Sequence, residues 1–149
     1  MKAHGIVRAM SWLVVAMILG TSSVARVDAE PKCRDARLDG LYVFTASGFT
    51  SVNPGPPLPI AIVELIRFNG DGTVNVPGGR VAVNGAIFPT VGTGTYTSPT
   101  PVDTGCEATV TFAEGPSLYM FIPPNAKDIR MIMVTPNNVF QGTATQISK

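Results

Sequence analysis

Histidine and tryptophan each occur once, as His4 and Trp12, and cysteine only twice, as Cys33 and Cys106. Eleven Lys and Arg against ten Asp and Glu leave a formal charge of +1. So even a balance gives no electrostatic reason to bind nucleic acid or an anionic membrane. The apolar run Met10–Gly20 holds eleven residues, short of the roughly 20 that a membrane-spanning helix needs. No Gly-x-Ser-x-Gly occurs, so the nucleophile turn of a serine hydrolase is missing. No Cys-x-x-Cys occurs either, which removes the usual redox-active pair.

What is present begins with a leader. Lys2 and Arg8 precede the run Met10–Gly20, and Val27 and Ala29 take the −3 and −1 positions of a cleavage site before Glu30. That is the layout of a secretory signal peptide over residues 1–29; Ser23 and Ala25 fit a cut after Ala25 as well. An uncleaved anchor is the alternative. "AEPK" before Cys33 has no small apolar stretch, so a lipid-modified cysteine is not expected. Removing 29 of the 149 residues leaves 120, enough for one domain with its own core. Cleavage also removes His4 and Trp12. A serine–histidine pair and an imidazole-ligated zinc are then excluded. Eight basic residues against nine acidic ones remain, once Lys2, Arg8, Arg26 and Asp28 are taken away. The expected location is secreted or periplasmic.

Both cysteines survive cleavage and enter an oxidising compartment, where an even pair is most simply a disulfide. Cys33 lies in the segment 30–38, which has no sheet pattern, and Cys106 opens a strand. A Cys33–Cys106 bond would close a loop of about 70 residues, worth about 4 kcal/mol by chain entropy if unstrained.

From Asp39 to Lys149 no helical period is sustained and turn residues recur every eight to twelve positions, the signature of an all-β domain. Strands are predicted over 41–50, 60–68, 73–76, 80–83, 86–97, 106–112, 117–122, 129–134 and 138–147. "NPGPPLP" (53–59) and "PGG" (77–79) read as breaks, while "NGDG" and "NG" (84–85) read as hairpin turns. The glycines at 92 and 94 suit a bulge or bend. Eight or nine short antiparallel strands are enough to close a small barrel; a two-sheet sandwich is the rival architecture. "CEATVTF" alternates as a half-buried strand does. "IAIVELI", "SLYMFI" and "IRMIMV" are apolar on both faces and need cover outside as well as in. The N-terminal segment, the proline-rich loop or another subunit could supply it.

"DGLYVFTASGFT", "FNGDGTV", "GTGTYT…CEATVTF" and "NNVFQGTA" together resemble a group of small secreted bacterial proteins. Their pattern is in turn similar to the allene oxide cyclase and dirigent type of barrel. The resemblance covers Asp39 to Ala144. It implies an eight-stranded antiparallel barrel, often trimeric, with an apolar cavity. No active-site residue of that family carries over by position, and "SPTPVDTG" inserts extra turn residues before the cysteine.

The candidate sites follow from the residues. In "NGDGT" (69–73) an EF-hand would need glycine sixth and glutamate twelfth, and those positions hold Val74 and Arg80, so a plain hairpin is expected. "GTG" at 92–94 lacks the third glycine and the helix of a phosphate loop. Met120, Met131 and Met133 are thioethers that could hold Cu(I), but methionine more often fills core gaps. Neither a metal nor a cofactor is therefore expected. Carboxylate, arginine and tyrosine chemistry is left. Glu64 shares a face with Ile60, Ile62, Ile66 and Phe68. Facing into a barrel, its carboxyl would be desolvated and raised in pKa, as a general acid or base requires. Facing out, or paired with Arg67 or Arg130, it would be structural. Tyr42, Tyr96 and Tyr119 are the candidate ligand-binding hydroxyls, and tyrosine is also an ordinary core residue with one wet end. The expected function is a barrel that holds a small apolar molecule, with or without cyclase-like isomerisation. The competing expectation is a non-catalytic interaction barrel that self-assembles, as a trimer, through apolar outer faces. After cleavage no membrane span is expected.

Overall fold

A computed structural model describes residues 33–51 and 55–149; the leader over 1–29 lies outside the described residues. The chain is all-β: after a 3-10 turn at Asp35–Arg37 come β1 (Asp39–Ser51), β2 (Pro57–Asn69), β3 (Thr73–Val83), β4 (Ala86–Tyr96), β5 (Thr100–Val102), β6 (Gly105–Phe112), β7 (Ser117–Ile122), β8 (Asp128–Met133) and β9 (Asn138–Ser148). All nine belong to one antiparallel sheet, ordered β4-β3-β2-β1-β9-β8-β7-β6-β5, not to two packed sheets. A further pairing of β4 with β6, over Gly94–Tyr96 and Val110–Phe112, closes the sheet into a ring. β5 pairs with the same strand β6 farther along, at Thr100↔Glu107, so it continues the line of β4 after the break at Ser98 and Pro99.

Three expectations need correction. β3 is one strand through "PGG", with a register shift between Val76 and Gly79 in place of a break. A bulge absorbs the one extra residue without ending the ladder. β2 starts at Pro57, inside the proline-rich stretch. The bulge expected near Gly92 lies on the partner strand. The β3–β4 turn follows its sequence: Asn84 and Gly85 both take positive φ, 47° and 88°, as a two-residue type I′ turn demands.

Alternation along the strands sends one set of residues into the ring. Cross-strand register arranges them in rows: Met120, Met131, Gly142, Ala46, Ile62, Val81 and Phe88 form one, and Ile129, Ala144, Phe44, Glu64, Gly79 and Thr90 the next. The middle of the ring is filled. Tyr42, Phe44, Ile66, Phe68, Leu118 and Met120 are all fully buried. The Tyr42, Phe68 and Tyr96 rings meet edge-on at centroid distances of 5.3 and 5.5 Å, an arrangement that adds to the area they bury.

One end of the ring is shut by the segment ahead of β1. Cys33 and Cys106 are bonded, their Cα atoms 5.8 Å apart. Leu38 is fully buried, and Arg37 donates to the carbonyls of Pro123 and Pro124. The segment therefore covers an end of the ring, not the outer faces of the doubly apolar strands. At the other end Ile60, Val81, Phe112 and Met133 pack on the core while remaining only partly buried.

Candidate functional site

The strand "IAIVELIRF" turns Glu64 inward, because Ile62 and Ile66 on either side of it in the alternation are buried. Its neighbours across the sheet are Phe44 on β1 and Gly79 on β3. Gly79 has to be glycine: a Cβ there would run into the backbone and Cβ of Glu64 and into the Thr90 hydroxyl. Thr90, paired with Gly79 from β4, thus reaches over the glycine toward the carboxyl.

Burial pushes the Glu64 carboxyl above the usual carboxylate range, and the nearby Thr90 hydroxyl opposes that shift. That opposition is the effect of a hydrogen bond to the carboxyl, although by distance and angle the Thr90 hydroxyl makes none. Its Oγ1 is buried without a partner. A buried hydroxyl without a partner costs about 1–3 kcal/mol, which a bound oxygen or nitrogen could recover. Around the pair stand Ile62, Val81 and Phe88, the neighbouring inward row. Glu64 thus sits toward the end of the ring that the N-terminal segment leaves uncovered. We call this end the mouth.

The tyrosines go to three different places. Tyr42 donates to the carbonyl of Ala126 at 2.9 Å, and its hydroxyl is pushed up to about 12, by burial first and then by Asp39 and Tyr96. Tyr96 donates to the carbonyl of Asp35 at 3.3 Å, and burial raises it too. Both belong to the shut end. Tyr119 faces outward from β7 and donates to Glu107 Oε2 at 2.8 Å, a bond that raises its pKa. None of the three is brought to Glu64. Arg67 alternates to the opposite face from Glu64, and Arg130, on the outside of β8, donates to Thr143 Oγ1 at 2.8 Å.

Two grooves lie on the outside. One, about 680 Å3, is lined by Thr45, Ser47, Ala61, Val63, Arg130 and Thr143 among others; the second, about 650 Å3, runs past Tyr119, Phe121 and Val102. Among the described residues no group of three or more His, Cys, Asp or Glu is placed to hold a metal, and no helix is long and apolar enough to cross a membrane. The sequence reading missed Thr90, Gly79 and Phe88. The signal was available for two of them, since Phe88 and Thr90 alternate with Gly92 and Gly94 along β4. Gly79 was hidden because "PGG" read as a break.

Comparison of the chain with family models, with curated proteins and with solved structures finds no match. The chemistry of the mouth has to be read from its own geometry.

Proposed function

We propose that the chain is a secreted or periplasmic closed barrel that holds a small apolar molecule bearing one carbonyl or hydroxyl oxygen, at the mouth of the ring. The observation that carries this reading is the inward pair of Glu64 and Thr90: a desolvated carboxyl beside a buried hydroxyl with no partner, walled by Ile62, Val81 and Phe88. A protonated carboxyl donates and the threonine hydroxyl does both, so the pair can orient one ligand oxygen. The apolar remainder would lie against Val81 and Phe88. The packed aromatic centre of the ring argues for a ligand at the mouth and against one deep in the lumen. The likeness of the strand motifs to allene oxide cyclase and dirigent barrels is in keeping with such a ligand. In the catalytic extension of the reading, Glu64 shuttles a proton during an isomerisation.

Native mass spectrometry of the chain purified from its own host tests the proposal. A copurified apolar molecule is expected, and Glu64→Gln and Thr90→Val should each lower its retention about tenfold, the worth of one hydrogen bond at roughly 1.4 kcal/mol. Retention unchanged in both variants would refute the site. Turnover lost in Glu64→Gln with retention largely kept marks the isomerase. A second reading, assembly as a homotrimer through the outer faces, is favoured by the exposed Val63, Ile132 and Val139. Light scattering decides it, and a monomer at working concentration refutes it.

A further inference from the structure

The N-terminal segment leaves the outer face of β7 uncovered. Leu118, Met120 and Ile122 point inward and are buried, while Tyr119 and Phe121 face out and are only half-buried. The two rings form one side of the outer groove of about 650 Å3, and Pro101 to Thr104, from β5 and the turn after it, form the other. β6 runs between them as the floor. Both rings are held in place. A Cβ on Gly105 of the floor would meet the Ile122 carbonyl and stand 3.1 Å from Phe121 Cζ, so glycine there makes room for the ring. Tyr119 is fixed by its hydroxyl, which donates to Glu107 Oε2 at 2.8 Å. The Thr100 hydroxyl approaches the other Glu107 oxygen at 3.5 Å. Rings fixed in advance lose little conformational freedom when a ligand arrives.

The chemistry of this groove is mixed. Beside the rings it offers the Asp103 carboxylate and the Thr104 hydroxyl, and Glu107 keeps lone pairs beyond the two hydroxyls that approach it. Among the described residues no cation lines it. Arg130, across from Phe121 on β8, turns to Thr143 and lines the other groove. Arg37 turns to Pro123 and Pro124, and the exposed Arg34 lines neither groove. An anionic ligand would therefore meet carboxylates without a counter-charge. A small cation would pair with carboxylates that stand in water or already accept hydroxyls, where an ion pair is worth little.

We propose that this groove binds a neutral sugar chain, with Tyr119 and Phe121 stacking on pyranose rings and Asp103, Thr104 and Glu107 taking the sugar hydroxyls. A pyranose carries C–H groups on its flat faces and O–H groups around its rim. The C–H face suits the electron-rich face of an aromatic ring. The O–H groups donate to carboxylates and both donate to and accept from a threonine hydroxyl. A ligand that is apolar on its faces, polar at its rim and uncharged matches every side of the groove. The volume is that of ordinary ligand sites. Tyr119 and Phe121 are spaced about 7 Å apart along β7, within the reach of successive rings of one chain. The groove lies on the outside of β5, β6 and β7, apart from the mouth, and the inference does not rest on the ligand proposed there.

Isothermal titration calorimetry of the exported chain tests the site. Cellohexaose, maltohexaose and chitohexaose are the neutral probes, hexagalacturonate the acidic one and spermidine the cationic one. At least one neutral chain should bind with a Kd below about 1 mM, and hexagalacturonate at least about tenfold more weakly. Phe121→Ala and Tyr119→Ala should each weaken binding about tenfold, and Asp103→Asn about threefold. Asp103 is exposed in a turn, so its variant decides the matter should a ring variant fail to fold. Tyrosine fluorescence should change on binding in wild type and not in Tyr119→Phe, because Tyr42 and Tyr96 are buried away from the groove. Val91→Thr, at an exposed position on β4, should bind as wild type does. No neutral chain bound at about 10 mM, full affinity in both folded ring variants, full affinity in Asp103→Asn where neither ring variant folds, or binding of hexagalacturonate or spermidine alone overturns the proposal. Self-association lost in Phe121→Ala, with no sugar bound by wild type, assigns the groove to a second copy and overturns it too.

Discussion

Replacing both cysteines, as Cys33→Ala with Cys106→Ala, should cost the fold about 5 kcal/mol. The bond joins residues 73 positions apart, and freeing a loop of that length returns about 4 kcal/mol of chain entropy to the unfolded state. Cys106 is fully buried, so losing its sulfur leaves a small void worth roughly 1 kcal/mol more. A domain of this size has only about 6–17 kcal/mol of total stability. Urea unfolding followed by tyrosine fluorescence is the direct assay. With a slope near 2 kcal/mol per molar urea, the midpoint should fall by roughly 2.5 M. Wild-type protein unfolded in the presence of reductant loses the cross-link but keeps the sulfur, so its midpoint should lie about 0.5 M above that of the variant. The losses should concentrate at the shut end, where Leu38, the Tyr42–Ala126 bond and the Tyr96–Asp35 bond depend on the stapled segment. A loss below about 1 kcal/mol would refute the reasoning, because it would mean that the unfolded chain is no freer without the bond.

Three further outcomes follow from named contacts. Glu64→Gln should make stability less dependent on pH. The folded carboxyl is raised above its ordinary value, so its stabilisation is complete below the unfolded carboxyl pKa and is lost as pH rises through the folded one. The variant should therefore gain on wild type between pH 4 and neutrality in thermal melts; a constant difference across that range counts against the buried carboxyl. Gly79→Ala should destabilise by about 1–3 kcal/mol, since its Cβ meets Glu64 backbone that cannot yield; a neutral result would mean that β3 shifts freely at the bulge. Tyr42→Phe strands the Ala126 carbonyl and should cost about 1–3 kcal/mol in urea unfolding, and no loss would show that water replaces the hydroxyl.

The sequence alone determined the all-β class, the face on which Glu64 lies, the Asn84–Gly85 hairpin and the cysteine pairing. Each depends on local information or on simple exclusion. A period of two assigns every residue of "IAIVELIRF" to a face whatever the strand pairs with, and two cysteines allow a single internal bond. Tertiary structure decided what those faces meet. The pairing of β1 with β9 and of β4 with β6 joins segments far apart in the chain, and no local pattern states which edges will meet. The β2–β3–β4 register sets Thr90 beside Glu64 and turns "PGG" from a break into a bulge, and the β4–β6 closure makes β5 an extension of β4. It also scatters the tyrosines, which composition treats alike, to the shut end and the outer wall. Strand direction and register, not composition, fix where each side chain stands.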